Sequence, residues 1–108
     1  MKDDRVYLTH ISECLRKVEQ NTAGGRAEFF ASETLQDAVL RNLQVMCEST
    51  RMLSEDFKMA HSSIDWRRIA DFRNRLVHDY LGVDLEIVWN VVTEDLPELK
   101  HVIIEALR

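Results

Sequence analysis

The sequence predicts an all-α domain, an up-and-down bundle of four main helices with a kinked C-terminal helix. Three observations lead there. Glycine and proline are scarce, three and one in 108 residues, while 31% of the residues are charged; so few turn formers in so charged a chain favour helices over a sheet sandwich. Apolar residues recur at three- and four-residue spacing in four separate stretches. Residues suited to helix starts and stops, such as Ser32 and Asp84 or Gly24-Gly25 and Gly82, fall between those stretches. Residues 1–108 read as one domain, long enough to bury a single modest core without disulfide or metal support. There are no internal repeats, low-complexity tracts or linkers.

The first helix is expected over residues 4–20, with Tyr7, Ile11, Cys14 or Leu15, and Val18 on one face and charged residues on the rest. Asn21-Thr22-Ala23-Gly24-Gly25 stops it, because glycine readily takes the left-handed conformation after a helix end. Phe29 and Phe30 then anchor the connection to the core. Ser32 is suited to cap a second helix, running to about residue 52 or 53. Its stripe is Leu35, Val39, Leu43, Met46, Thr50 and Leu53, and Leu40, Val45 and Met52 outside it suggest cover on more than one side. Asn42 falls within that stripe and needs a hydrogen-bonding partner. Residues 54–62 form a polar connection with a short helical turn at Glu55 to Ala60. Ser62-Ser63-Ile64-Asp65 resembles a capping box for a third helix, from about residue 63 to Leu81, with Gly82 as its stop. Asp84 suits the start of a fourth, apolar at Leu85, Val88, Val91/Val92, Leu96, Leu99, Val102/Ile103 and Leu107. Pro97 should kink or restart that helix near Asp95.

The net charge of −5 argues against a general nucleic-acid coat, which is normally basic. The third helix is the local exception: from Arg67 to His78 it carries four arginines, one aspartate and one histidine. No segment approaches the length that spans a membrane, and the N-terminus has no apolar run, so a cytoplasmic protein is expected. Cys14 and Cys47 sit at helical positions without Cys-x-x-Cys spacing and read as buried, reduced thiols.

The third helix also holds the one anomaly. At about 100° per residue, Trp66, Ile69, Ala70, Leu76, Val77 and Leu81 share an apolar stripe, and Arg73 lies inside it. A second stripe, Arg67-Asp71-Asn74-His78, runs alongside. An arginine on a core face costs several kcal/mol unless its charge is paired or the face opens onto a cleft. His78 can exchange a proton near neutrality, Arg73 offers forked donors suited to a phosphate, and Asn74 can orient either the ring or a substrate oxygen. The plainer reading has Arg73 paired with a carboxylate across a helix interface and His78 capping a helix end. Spacing alone favours that plainer reading, because R-x4-H is a weak pattern by itself. A metal site is poorly supported: His10, His61, His78 and His101 are far apart, with no i, i+4 histidine pair. Neither cysteine is placed as a nucleophile, there is no glycine-rich phosphate loop, and no cofactor is expected.

Trp66-Arg67-x-Ile69-x-x-x-Arg73-Asn74-x-Leu76-x-His78-x-Tyr80, then Asp84-Leu85-x-x-Val88-Trp89 and Leu96-Pro97-x-Leu99, resembles the HepT-like toxins of the HEPN superfamily. Asp3-Asp4-x-x-Tyr7-Leu8-x-x-Ile11 and Leu35-Gln36-Asp37-Ala38-Val39-x-Arg41-Asn42-Leu43 fit the same family, so the match covers essentially the whole chain. The resemblance implies a HEPN bundle forming a symmetric homodimer, and a metal-independent endoribonuclease acting on RNA rather than DNA. It implies the toxin of a toxin–antitoxin pair, whose partner is an MntA-like minimal nucleotidyltransferase that adds AMP to the motif tyrosine. Carried over, Arg73 and His78 become the catalytic pair, Tyr80 the AMP acceptor, and Asn74 the polar residue that commonly follows the motif arginine; Arg67 on the same basic stripe joins Asn74 as a supporting, substrate-binding candidate. Departures are Asp79 where glycine is common, Cys47-Glu48 where many relatives have Gly-Glu, and Ala70-Asp71-Phe72 for a frequent glycine-containing step. Asp79 would weaken phosphate binding or raise the pKa of His78. Two alternatives stand beside this reading. One is a non-catalytic HEPN module that binds a nucleotidyltransferase or a nucleotide through the same cleft; the other is a structural helical dimer with Arg73 ion-paired.

Overall fold

The computed structural model describes residues 3–78 and 82–108, and every described element is helical. Helix α1 spans Asp4–Thr22, with the Asp3 carboxylate accepting from the Arg5 amide. Ile11, Cys14, Leu15 and Val18 are buried as expected, joined by Leu8, while Tyr7 is half-buried. The turn after α1 uses Gly25 at φ +92°, a conformation that side chains disfavour.

The stretch expected to be a connection anchored by Phe29 and Phe30 is itself a helix, α2, Arg26–Ala31. The anchoring is as expected. Phe29 is fully buried, with its ring centroid 5.4 Å from that of Trp89. Gln36 donates from Nε2 to the carbonyls of Phe29 and Phe30 at 3.0 and 3.2 Å, satisfying the exposed end of this short helix.

Helix α3, Glu33–Arg51, begins at Ser32, whose Oγ accepts from the Leu35 amide. Val39, Leu43, Met46, Cys47 and Thr50 are buried along it. Asn42 finds its partner in the Ala38 carbonyl at 2.8 Å. The helix is covered on several sides, packing on α1, on α2 and on the helix that carries Arg73. Ser54 caps α4, Glu55–Ala60, and is itself held by both carboxylate oxygens of Asp4, at 2.8 and 2.6 Å. Trp66 Nε1 donates to the carbonyls of Lys58 and His61, which fastens α4 to the next helix.

Helix α5, Trp66–His78, departs from expectation in two ways. Its cap is Asp65, whose Oδ1 accepts from the Arg68 amide at 3.0 Å; Ser62 and Ser63 stay exposed in the preceding turn. Its core residue is Phe72, which lay outside the expected stripe, whereas Ala70 is exposed and Trp66, Ile69 and Leu76 are half-buried. The physical reason is area: a phenyl ring removes far more apolar surface from water than a methyl group, so the helix turns to bury Phe72. Val77 is likewise half-buried, and Leu81 lies outside the described residues.

Asp84 caps α6, Leu85–Asn90, as expected. The interruption at Pro97 takes the form of a π-helical turn, Val91–Asp95, leading into α7, Leu96–Leu107. Proline lacks the amide that would bond the carbonyl four residues back and collides with it. The Leu96 amide instead reaches five residues back to the Val91 carbonyl, which widens the turn. Widening also keeps Val88, Val91, Leu96, Leu99 and Ile103 all buried despite the five-residue step in their spacing. In space α7 packs on α1, α1 on α3, and α3 on α5. No helix of the described residues is long and apolar enough to cross a membrane.

Candidate active site

Helix α5 presents Arg73 toward α3, where its side chain is 23% exposed, half-buried as its place on the stripe demands. Its charge is paired. Nε donates to Glu48 Oε1 of α3 at 2.5 Å, and Nη1 donates to Oδ1 of the neighbouring Asn74 at 3.0 Å. The second Glu48 oxygen lies 3.3 Å from Arg51 Nη1, so one carboxylate orders two guanidiniums. Two of the five N–H groups of Arg73 are thereby engaged, and the other three find no partner among the described residues. The arrangement fixes the guanidinium while leaving it donors for an oxyanion.

The remaining candidates are more dispersed. His78 is the last residue of α5 and is exposed. Five residues from Arg73, it lies about 140° round the helix and roughly 7.5 Å along its axis. Within one chain the two do not share a face. Asn74, also exposed, precedes His78 by one turn and bridges the two faces through its bond to Arg73. Arg67 is exposed and has no ion-pair partner among the described residues. Tyr80, the AMP-acceptor candidate, and Asp79 lie outside the described residues.

Glu48 was not among the residues expected to form the site. An arginine on an apolar stripe calls for a carboxylate on a facing helix, and α3 offers Glu33, Asp37 and Glu48. Choosing among them requires the register of α3 against α5, which is set by packing.

Two concavities flank this arrangement. One, of about 340 Å³, is lined from α1 by Tyr7 and His10 and from α3 by Arg41, Gln44 and Glu48. The other, of about 450 Å³, lies between α5 and the α6–α7 segment, over a floor that includes Met46, Cys47, Phe72 and Leu99. Across it Arg68 pairs with Asp95 at 3.2 Å; Arg75 also lines it, but so do Asp65, Asp71, Glu94 and Glu98, so carboxylates outnumber guanidiniums and the surround is ill-suited to a polyanion. Cys14 and Cys47 are both buried free thiols. Burial, reinforced by the nearby Glu48 carboxylate, pushes the Cys47 thiol up to about 12, so it is no nucleophile. No group of three or more His, Cys, Asp or Glu among the described residues is arranged to hold a metal ion.

Residues 11–106 match the family model described as ribonuclease HepT-like. A Methanocaldococcus jannaschii protein, whose name joins gamma-glutamylcyclotransferase to an unproven RNase, is 36% identical over 98% of this chain, which spans 48% of that longer protein. A Thermococcus cleftensis protein named, short of proof, as ribonuclease HepT is 38% identical, over 87% of this chain and 86% of its own length. The mRNA nuclease HepT of Shewanella oneidensis is 26% identical over 89% of this chain and 90% of its own. No solved structure matches the chain significantly.

Proposed function

The chain belongs to the HepT-like ribonuclease family, and from that premise we propose that it is an endoribonuclease toxin acting on RNA without a metal ion. The observation that carries the reading is the half-buried Arg73, fixed by Glu48 and Asn74 with donors to spare. A phosphate placed on those donors would sit against a guanidinium that needs no reorganisation as charge builds on its oxygens. The adjacent 2′-hydroxyl loses its proton to a base and attacks phosphorus, the P–O5′ bond breaks, and the leaving oxygen takes a proton from an acid. The products are a 2′,3′-cyclic phosphate and a 5′-hydroxyl. His78 supplies the proton transfers, with Asn74 and Arg67 holding the RNA.

Because Arg73 and His78 point to different faces of α5, the pair that acts on one phosphate is drawn from two protomers of a symmetric homodimer. Tyr80, the tyrosine of the family motif, is the acceptor for AMP. The nucleotide added there by an MntA-like nucleotidyltransferase antitoxin would bring a phosphate and an adenine into the substrate's place.

The Arg73–Glu48 pair equally suits a structural arginine, the second reading. The test is cleavage of total cellular RNA in EDTA by unmodified wild type, Arg73→Ala and His78→Ala, with folding checked by thermal melting. The expected outcome is cleavage by wild type, leaving cyclic-phosphate ends, and losses of about 10²–10³-fold in both variants with their folds retained. Equal cleavage by all three would sink the assignment. A collapse of stability in Arg73→Ala, with no cleavage even by wild type, would establish the structural reading.

A further inference from the structure

We propose that the depression between α1 and α3 beside Glu48 is a purine-base subsite, which selects the nucleotide adjacent to the phosphate held by Arg73. The inference deepens the ribonuclease reading and rests on it for the cleavage arm of its test. Arg41, Gln44 and Glu48 are spaced i, i+3 and i+7 on α3, so they form one line along the helix, and all three line the depression. Glu48 ends that line on Arg73, 2.5 Å away, which joins the depression to the guanidinium proposed to hold phosphate. From Arg41 to Glu48 the helix advances roughly 10 Å, a span on the order of one to two nucleotides.

The opposite wall comes from α1. There Tyr7, half-buried, and His10, exposed, meet edge to face with centroids 6.5 Å apart. Single-stranded RNA is read by splaying bases onto aromatic faces and hydrogen-bonding their edges. A guanidinium and a carboxamide make the two side-chain pairings that fit purines, arginine to O6 and N7 of guanine and glutamine to N6 and N7 of adenine. Arg41 lines the depression and makes no ion pair among the described residues, so no carboxylate there competes for its forked donors. Val45 and Met52 add aliphatic surface suited to the flat face of a base, beside the hydroxyl-bearing Ser49. The cavity on the other side of α5 carries Arg75 but surrounds it with carboxylates and holds no carboxamide, tyrosine or histidine, which favours this face for the RNA.

The experiment is cleavage of a random-sequence single-stranded RNA pool, with sequencing of the 5′-hydroxyl ends, for wild type, Arg41→Ala, Gln44→Ala and the distant surface variant Arg16→Ala. In parallel, guanosine and adenosine 3′-monophosphates, with cytidine and uridine 3′-monophosphates as comparison, are titrated against the His10 imidazole signal. The expected result is a purine preference beside the cut that falls about five- to a hundredfold in Arg41→Ala, is altered between adenine and guanine in Gln44→Ala, and is untouched in Arg16→Ala. Saturable purine binding should move His10 and be weakened by Arg41→Ala. Cleavage with no purine preference, or with one that Arg41→Ala leaves intact, overturns the subsite while the ribonuclease stands. Purine binding without any cleavage upholds the subsite and removes the ribonuclease; neither binding nor cleavage removes both.

Discussion

Arg73 shows how far one residue can be read. Its place on an apolar stripe demanded either a partner or a cleft, and the structure supplies the partner in Glu48. The demand was local, set by the cost of burying a charge, and so was legible. The partner was not, because nothing in the spacing of Glu33, Asp37 and Glu48 along α3 says which one meets α5. Cys47 makes the same point in reverse. Helical position suggested a buried thiol, and burial holds it protonated up to about 12, against an ordinary value of 9.0. When the chain unfolds, that thiol ionises at the lower value, so above pH 9 the unfolded state binds fewer protons than the native state. Stability is therefore expected to fall as pH rises from about 9 toward 12, by up to about 1.4 kcal/mol per pH unit from this one group. Denaturant titrations of wild type and Cys47→Ala at pH 8 and 10.5 check it: the drop should be smaller in the variant. Through the same range, Cys47 should resist alkylation until the protein unfolds.

Among the elements, four main helices were legible because each repeats its apolar residues over three turns or more, and Ser32 and Asp84 cap where their side chains allow. Helix α2 was not, since six residues are too few to show a period, and its stability comes from Phe29 in the core and Gln36 across its end. The face of α5 was read partly amiss. Counting apolar positions weighs Ala70 and Phe72 alike, whereas burial weighs them by area. Phe72→Ala should therefore cost about 3–5 kcal/mol by urea denaturation, and Ala70→Ser only a few tenths. A large loss at Ala70 with little at Phe72 would restore the stripe read from spacing.

For the whole molecule, an acidic chain with one basic helix confines any polyanion to the neighbourhood of α5, and that much was visible in the charge distribution. What one sequence does not carry is how a second copy of α5 would meet the first in the proposed dimer. The proposed dimer has a direct test. Inactive Arg73→Ala and His78→Ala homodimers are unfolded, mixed and refolded together. If Arg73 of one protomer works with His78 of the other, each hybrid dimer holds one intact site, and the mixture should regain roughly a quarter of wild-type cleavage. No recovery, with hybrid dimers demonstrated by mass spectrometry, would place both residues of each working pair in one protomer.

The π-helical turn at Val91–Asp95 ties two oddities of the chain to each other. It accommodates a proline, and it takes up a surplus residue between Val91 and Leu96. Deleting Thr93 alone would return the apolar spacing to four but leave Pro97 inside a regular ladder; Pro97→Ala alone would restore the amide but leave the surplus. Either change should lower the melting temperature by itself, and the two together should lower it less than their sum. Such non-additivity would make the widened turn and the proline one thermodynamic unit, in which changing either alters the cost of changing the other.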